Sequence, residues 1–550
     1  MSRSALLPRR ESTSVRPAFS VSIETIAWTA VITLFLGLRI AHVLLAPVGG
    51  AELVHLSGAW QAREGVTDDR FVPTLFQSLS SAILFLTTSE VGPRLLALLA
   101  TATVPLAVLM LSPRLGRAGA LLAALFLALD GLAINLGASA NASGFDLAIA
   151  AWLLVAALRP ATSPWAWGIL GFLLATAGPL PLALLLSVAF VKFLDRRAVF
   201  LGPGVYAFVI GAIAGIAAAS AGFGFGFDGI VIPPLELFVA GFDETWTTAT
   251  ALEATLLYAV PYLLAGAAVA VYYGISARRG ESLEPVTVLL LGWAAVALLW
   301  FLASAGAHTT LPAVALTMPL ALLAGPAVAR GLSAALQADW RIAGPVLAAC
   351  GIVLSIALYA MLDWARLKRI GPAEEVLVVV ALVAVASLGV LALATRSRTA
   401  SALVVAALVL AVVPVVSASF GAAFGGRREP IASPFESPQA RQIRYTAGQL
   451  ASSSAGSIVV HPSLADGATW LLRDLPFTVS AEPGEEAALV VWPAGQPAPA
   501  GLLPLDGAWA LILQVEPPIS SPLRYLRWLT NRNGLGSTTE PVSLFGRPPE

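Results

Sequence analysis

Apolar stretches of roughly membrane-spanning length recur about thirteen times between residues 22 and 419, and then the pattern stops. A hydrocarbon core about 30 Å thick takes roughly 20 apolar residues per helix. No water reaches the backbone at that depth, so such segments satisfy their N–H and C=O groups only by folding as helices. The sequence therefore predicts a polytopic α-helical membrane protein. From Phe420 the chain turns to shorter apolar runs divided by Pro and polar residues, which predicts a linker at 420–438 and a small α/β domain at 439–550. The chain is 58% hydrophobic and 12% charged, against about 25% charged in soluble domains.

Several function classes drop out at once. Lys/Arg and Asp/Glu balance at 32 each, and no basic cluster interleaved with aromatics suggests a nucleic-acid surface. Cys350 is the single cysteine, which excludes an intrachain disulfide. His42, His55, His308 and His461 have no metal-ligand spacing, so a structural or catalytic zinc is not expected.

Charge sets the expected topology. The tail at 1–21 carries Arg3, Arg9, Arg10 and Arg16, and cationic flanks stay in the cytoplasm, so the N-terminus is expected inside. The spans are read at 22–47, 93–112, 118–137, 144–158, 165–178, 180–194, 201–222, 252–274, 286–304, 309–330, 342–362, 374–394 and 401–419. Inner loops then hold Arg114, Arg117, Arg159, Arg196, Arg197, Arg278, Arg279, Arg396 and Arg398. Arg366, Lys368 and Arg369 fall on the other side and break the rule. An odd number of spans places the C-terminal domain outside, on the side of the loop at 48–92. Gly178-Pro179-Leu180-Pro181 leaves two readings for 165–194, two short helices or one kinked one; the Arg196-Arg197 and Arg278-Arg279 pairs favour two.

The loop at 48–92 is the longest within the membrane section. Leu53, Leu56 and Trp60 recur at helical spacing, predicting an interfacial helix that begins near Glu52. Asp68, Asp69 and Arg70 follow, and then an apolar run from Phe71 to Thr88 that reads either as a surface segment or as a further span. A carboxylate at the head of this loop suits a general base that deprotonates an acceptor hydroxyl while a lipid phosphate departs. It equally suits a side chain that only favours the helix start through the macrodipole. Within the spans lie Arg39 and His42, one turn apart, and Asp130 and Asp146. Ionisable groups at that depth are costly and mark either function or pairing.

This arrangement resembles the GT-C superfamily of membrane glycosyltransferases, including protein O-mannosyltransferase and aminoarabinose-transferase relatives. Leu38-Arg39 precedes Ala51-Glu52 at about the distance from Leu-Arg to Asp-Glu in that superfamily; Ser89 to Leu96, with Arg94, and His308-Thr309-Thr310-Leu311-Pro312 are further similar text. In the C-terminal part, Ala440 to His461, Trp470 to Pro476 and Tyr525 to Leu529 are similar to the flippase-activity-associated branch. The chain departs from the pattern in three places. Ala51 stands where the superfamily has Asp, Phe71-Val72-Pro73-Thr74 replaces its His-Pro-Pro or Gly-Pro segment, and Gly137 to Ser143 replaces a turn that is often basic.

The resemblance implies transfer of a sugar from a polyprenyl-phosphate donor to a lipid, glycan or protein acceptor at the outer face of the cell membrane. Glu52 is the implied catalytic base. Arg39, His55, Asp68, Asp69, Arg94, Asp130, Asp146 and His308 are the implied substrate contacts. No cofactor is expected beyond a divalent cation that Asp130 or Asp146 would help place. The departures carry the alternative, a catalytically degenerate relative that binds lipid-linked sugars or assists their translocation.

Overall fold

The computed structural model describes residues 22–64, 75–159, 162–175, 178–194, 204–221, 250–280, 283–306, 310–336, 415–416, 418–424, 435–453, 457–484, 487–507, 509–515, 528 and 537–547. Helix α1 (Ile23–Leu45) starts where the Ser22 hydroxyl accepts from the Thr25 N–H, satisfying a donor that the first helical turn leaves free. At its far end the chain turns through Gly50, whose φ of 29° lies where a β-carbon is disfavoured, and enters α2 (Gly50–Arg63). Next come α3 (Leu75–Leu84), α4 (Val91–Thr101), α5 (Val104–Met110) and α6 (Ser112–Leu115). Ten residues of α3 rise about 15 Å, half the hydrocarbon thickness. This helix lies beside α2 with Phe76 and Leu84 buried, as in the surface reading of that run.

Helices α7 (Arg117–Leu129) and α8 (Gly131–Ala138) form one apolar stretch bent by 68°. The bend has a local cause. Asp130 leaves helical geometry, and its Oδ1 accepts from the Leu132 and Ala133 N–H groups, capping α8. Gly131 lets the Tyr258 ring approach, since a β-carbon there would meet that ring at 2.9 Å. After α9 (Ser143–Leu158) come α10 (Pro164–Ala175) and α11 (Leu180–Leu194). Both pack on α9; helix α10 packs also against α12 (Gly204–Ala221), and α11 also against α15 (Pro285–Ala303). Helices α13 (Ala251–Tyr258), α14 (Val260–Arg278) and α16 (Leu311–Leu336) complete the bundle. The last is the most enclosed of the five long candidate spans, packed by α7, α14 and α15.

Five stretches among the described residues are long and apolar enough to cross a membrane, and a sixth if the bent pair counts as one. Five further apolar helices are shorter, at 10–17 residues. The spans expected at 342–362 and 374–394, and most of 401–419, lie outside the described residues. Leu44, Leu99, Ile169, Leu264 and Leu299 face outward from the bundle, as lipid-facing positions do.

The C-terminal part is a seven-stranded sheet with α17 (Ala440–Ser453) and α18 (Ala465–Leu471) packed on it. Its strands are β1 (Phe435–Glu436), β2 (Ser457–Val460), β3 (Phe477–Val479), β4 (Ala487–Pro493), β5 (Leu503–Pro504), β6 (Trp509–Val515) and β7 (Ser537–Gly546). The order is β1-β6-β7-β4-β2-β3, with β5 beside β7. Strands β2, β4 and β6 match the apolar runs seen in the sequence. Central β7 has no such run, and it carries Pro541 opposite Ala510, where the β6 register slips. A proline gives no ladder donor, and a register irregularity is where a strand accommodates one. The helix expected at 521–531 lies outside the described residues except Trp528, which is fully buried and meets Tyr258 edge-on at 5.4 Å.

Sheet and first loop share one face. Helix α2 packs against α18, the Glu436 N–H donates to the Val48 carbonyl at 3.1 Å, and Arg473 Nε donates to the Thr88 carbonyl at 2.8 Å. Trp470 joins Leu53, Leu56, Trp60 and Phe76 in one buried cluster.

Candidate functional site

Glu52 and Arg94 form the centre of this region. The carboxylate sits in the first turn of α2 and the guanidinium in α4, both buried. Arg94 Nε donates to Oε1 at 2.6 Å and Nη2 to Oε2 at 2.8 Å, a bidentate pair. The Ala140 N–H adds a third donor to Oε1 at 2.8 Å. Arg94 Nη1 donates to the Val43 and Ala46 carbonyls at 3.0 and 2.8 Å. Those carbonyls end α1, where helices leave acceptors unsatisfied and favour a cation. Burial alone would push the Glu52 carboxyl up. Arg94, through charge and hydrogen bonds, and the Ala140 N–H instead hold it below the usual carboxylate range.

Arg39 and His42 face the same interior from α1. Arg39 lies over the Phe35 ring at 3.5 Å and donates to the Phe35 and Leu127 carbonyls, both at 3.2 Å. Its Nε has no hydrogen-bond partner among the described residues. His42 Nδ1 lies 2.8 Å from the Ala422 carbonyl and Nε2 lies 3.3 Å from Ser139 Oγ. Arg39 and Asp130 are close enough to feel each other's charge yet do not form an ion pair. Asp130 Oδ2 instead accepts from the Thr317 hydroxyl at 2.9 Å. Asp146 accepts from the Gly178 N–H at 2.5 Å, which ties α9 to the turn before α11.

His55, one turn after Glu52, is half-buried with its ring edge-on to Phe76 at 6.5 Å, and its carbonyl accepts from Gln77 Nε2 at 3.2 Å. Burial lowers its imidazole to about 4. Asp68, Asp69 and His308 lie outside the described residues.

The structure thus brings Glu52, Arg94 and His55 to one end of the bundle. Asp130 and Asp146 use their oxygens on helix termini and Thr317. Among the described residues no group of three or more His, Cys, Asp or Glu side chains converges as a metal site. Chemically, Glu52 is an anion with three donors already on it, two on Oε1 and one on Oε2, which leaves about one acceptor site; turning Arg94 elsewhere would make it a stronger base.

A cleft of about 540 Å³ opens at the far end of α2, roughly 12–16 Å along the helix from Glu52, between α2 and the C-terminal sheet. Two stacked pairs border it. Arg63 lies over Trp60 at 4.2 Å, and Arg473 over Trp470 at 3.9 Å. The sequence reading treated these tryptophans singly. The shared Trp-x-x-Arg spacing is the signal that would have exposed them: it puts Trp60 and Arg63 on one face of α2, and Arg473 in the turn just after α18.

No protein-family model matches the chain, and no curated protein matches its sequence. Solved structures do match. ArnT from Cupriavidus metallidurans in the apo state aligns at 15% identity over 96% of this chain and 99% of its own, with a TM-score of 0.50. The same protein bound to undecaprenyl phosphate aligns at 16% identity over the same shares, with a TM-score of 0.48. The Archaeoglobus fulgidus oligosaccharyltransferase in the apo form aligns at 13% identity over 86% of this chain and 69% of its own, with a TM-score of 0.45. The chain has the fold of ArnT over nearly its whole length.

Proposed function

We propose that the chain transfers a sugar from a polyprenyl-phosphate-linked donor to a lipid, glycan or protein acceptor, at the membrane face that carries α2 and the C-terminal sheet. In this reading the N-terminus is cytoplasmic and the sheet lies outside. One observation carries it: on that face α2 holds a buried carboxylate–guanidinium pair at its start and, roughly 12–16 Å further along, borders a cleft lined by two tryptophan-stacked arginines. Guanidinium groups suit phosphate and indole faces suit sugar rings. The fold shared with ArnT supports the reading.

The chemistry has a defined sequence. The donor phosphate pairs with Arg94, which releases Glu52. Glu52 takes the acceptor hydroxyl proton as its oxygen attacks the anomeric carbon. The bond from that carbon to the phosphate oxygen breaks, and the polyprenyl phosphate leaves with the electron pair. A single displacement of this kind inverts the anomeric centre.

The three donors on Glu52 and the Ala51 departure favour a second reading, a degenerate relative that binds lipid-linked sugars without turnover. Proteoliposomes loaded with radiolabelled polyprenyl-phosphate sugars separate the two. Sugar release by wild type and not by Glu52→Gln supports the transferase. Measurable donor binding with no release from any donor by wild type sinks it.

A further inference from the structure

The end of the bundle remote from Glu52 holds a cavity of about 620 Å³. Glu24, in the first turn of α1, pairs with Arg117 at 3.1 Å, which puts this end roughly 30 Å along the helix from the Glu52 pair. Arg114, Arg117 and Arg330 line the cavity together with Tyr272, Tyr273 and Ser276. They come from α6, α7, α14 and α16, so the cations converge from separate elements. Arg330 is held in place: its Nη2 donates to the Tyr273 hydroxyl, and its guanidinium lies 5.6 Å from that ring's centroid. The Arg114 side chain has no hydrogen-bond or ion-pair partner among the described residues. One carboxylate, Glu284, also lines the space and Glu24 pairs with Arg117, which leaves Arg114 and Arg330 against one lining acid. Leu290 and Leu322 supply an apolar wall.

We propose that this cavity binds a phosphate-bearing anion, with the apolar wall favouring the headgroup of an anionic lipid over a soluble phosphate. Guanidinium forks match phosphate oxygens in pairs, and hydroxyls from Ser276 and the tyrosines supply further donors. Basic pockets between membrane helices hold lipid headgroups in this way. Arginines that merely flank a span need not enclose anything. Arg114, Arg117 and Arg330 are exposed like Arg278 and Arg279 at the end of α14, but they line the cavity and Arg278 and Arg279 do not.

The test uses the purified full-length protein in detergent, with lipid retention and thermal unfolding as readouts. The probes are dioleoyl phosphatidylglycerol, the zwitterionic dioleoyl phosphatidylcholine and inorganic phosphate. Phosphatidylglycerol is retained and raises the unfolding midpoint of wild type, with phosphatidylcholine weaker. Arg114→Gln and Arg330→Gln each weaken retention by roughly fivefold, while Arg278→Gln/Arg279→Gln does not. Arg330→Gln also loses its bond to Tyr273, so Arg114→Gln, with no internal partner to lose, decides the matter if the former unfolds. Site-dependent stabilisation by inorganic phosphate, with none by lipid, keeps the site and reassigns the source. Retention indifferent to Arg114 and Arg330, or equally weakened by the Arg278/Arg279 change, overturns the proposal.

Discussion

Replacing Arg94 by Met should destabilise this protein more than any other single change at the head of α2. The substitution keeps the volume of the stem and removes four hydrogen bonds, two to Glu52 and one each to Val43 and Ala46. Glu52 is then left as a buried anion with only the Ala140 N–H. Removing one partner of a buried ion pair costs about 3–5 kcal/mol, and two carbonyls at the end of α1 lose their donor as well. Glu52→Gln should be milder, at about 1–3 kcal/mol, because the amide oxygen still accepts from Arg94, which keeps its carbonyl partners. The double change Glu52→Gln/Arg94→Met leaves no buried charge and should be less destabilising than the two singles summed, by about 2 kcal/mol. Tryptophan fluorescence from the 14 indoles, followed through a denaturing-detergent titration in micelles, gives the four stabilities of the cycle. Strict additivity, or an Arg94→Met variant as stable as wild type, would show that the pair does not hold α1, α2 and α4 together.

Other outcomes follow from the same geometry. His55 is lowered by burial to about 4 from an ordinary 6.5, so the folded state favours the neutral ring. The stability tied to that neutrality is complete above 6.5 and is lost as pH falls toward 4, to a ceiling of about 3 kcal/mol. Midpoints of wild type and His55→Gln measured from pH 7.5 to 4.5 should converge, and parallel curves would refute this. Glu52 adds little slope in that window: its contribution is present in full above the ordinary carboxylate range and starts to fall only near pH 4.5, where the unfolded carboxyl takes up a proton and the folded one, held lower by Arg94, does not. Gly171→Ala places a β-carbon against the Phe208 carbonyl of α12. Overpacking of this kind costs about 1–3 kcal/mol, so cross-linking between α10 and α12 cysteine pairs should drop; unchanged cross-linking would show that the helices part freely.

What could be read from the sequence follows from the range of the interactions involved. Span positions are set by local hydropathy, so α9, α11, α12 and α15 begin and end within a few residues of expectation. The break at Asp130 was hidden because Asp-Gly inside an apolar run reads as a tolerated interruption. Only the folded chain shows Tyr258 and Thr317 completing it. Glu52 and Arg94 were both marked as candidates, yet their pairing joins residues 42 positions apart, a distance no local pattern encodes. Strand β7 was missed for a related reason. Ser537-Thr538-Thr539-Glu540-Pro541 lacks apolar alternation, and its central place in the sheet depends on β4 and β6 on either side.

The pairing of Glu52 with Arg94 also limits how any transfer proceeds. At about 3–5 kcal/mol for a broken pair, unaided opening leaves roughly one molecule in a hundred to one in several thousand with a free carboxylate. A base present at that level would slow turnover by the same factor. A donor phosphate that occupies Arg94 removes most of this cost, because the guanidinium exchanges one anion for another and remains paired. Donor binding and base release then become one event, and the single substitutions should divide cleanly. Arg94→Gln loses the phosphate partner and weakens donor binding itself. Glu52→Gln removes the competing anion, so it abolishes transfer while donor binding is retained or tightens. Retention of a radiolabelled polyprenyl-phosphate sugar on the two purified variants measures this directly. Equal weakening in both would mean that the pair acts as a structural pillar and never opens to substrate, which leaves the non-catalytic reading in place.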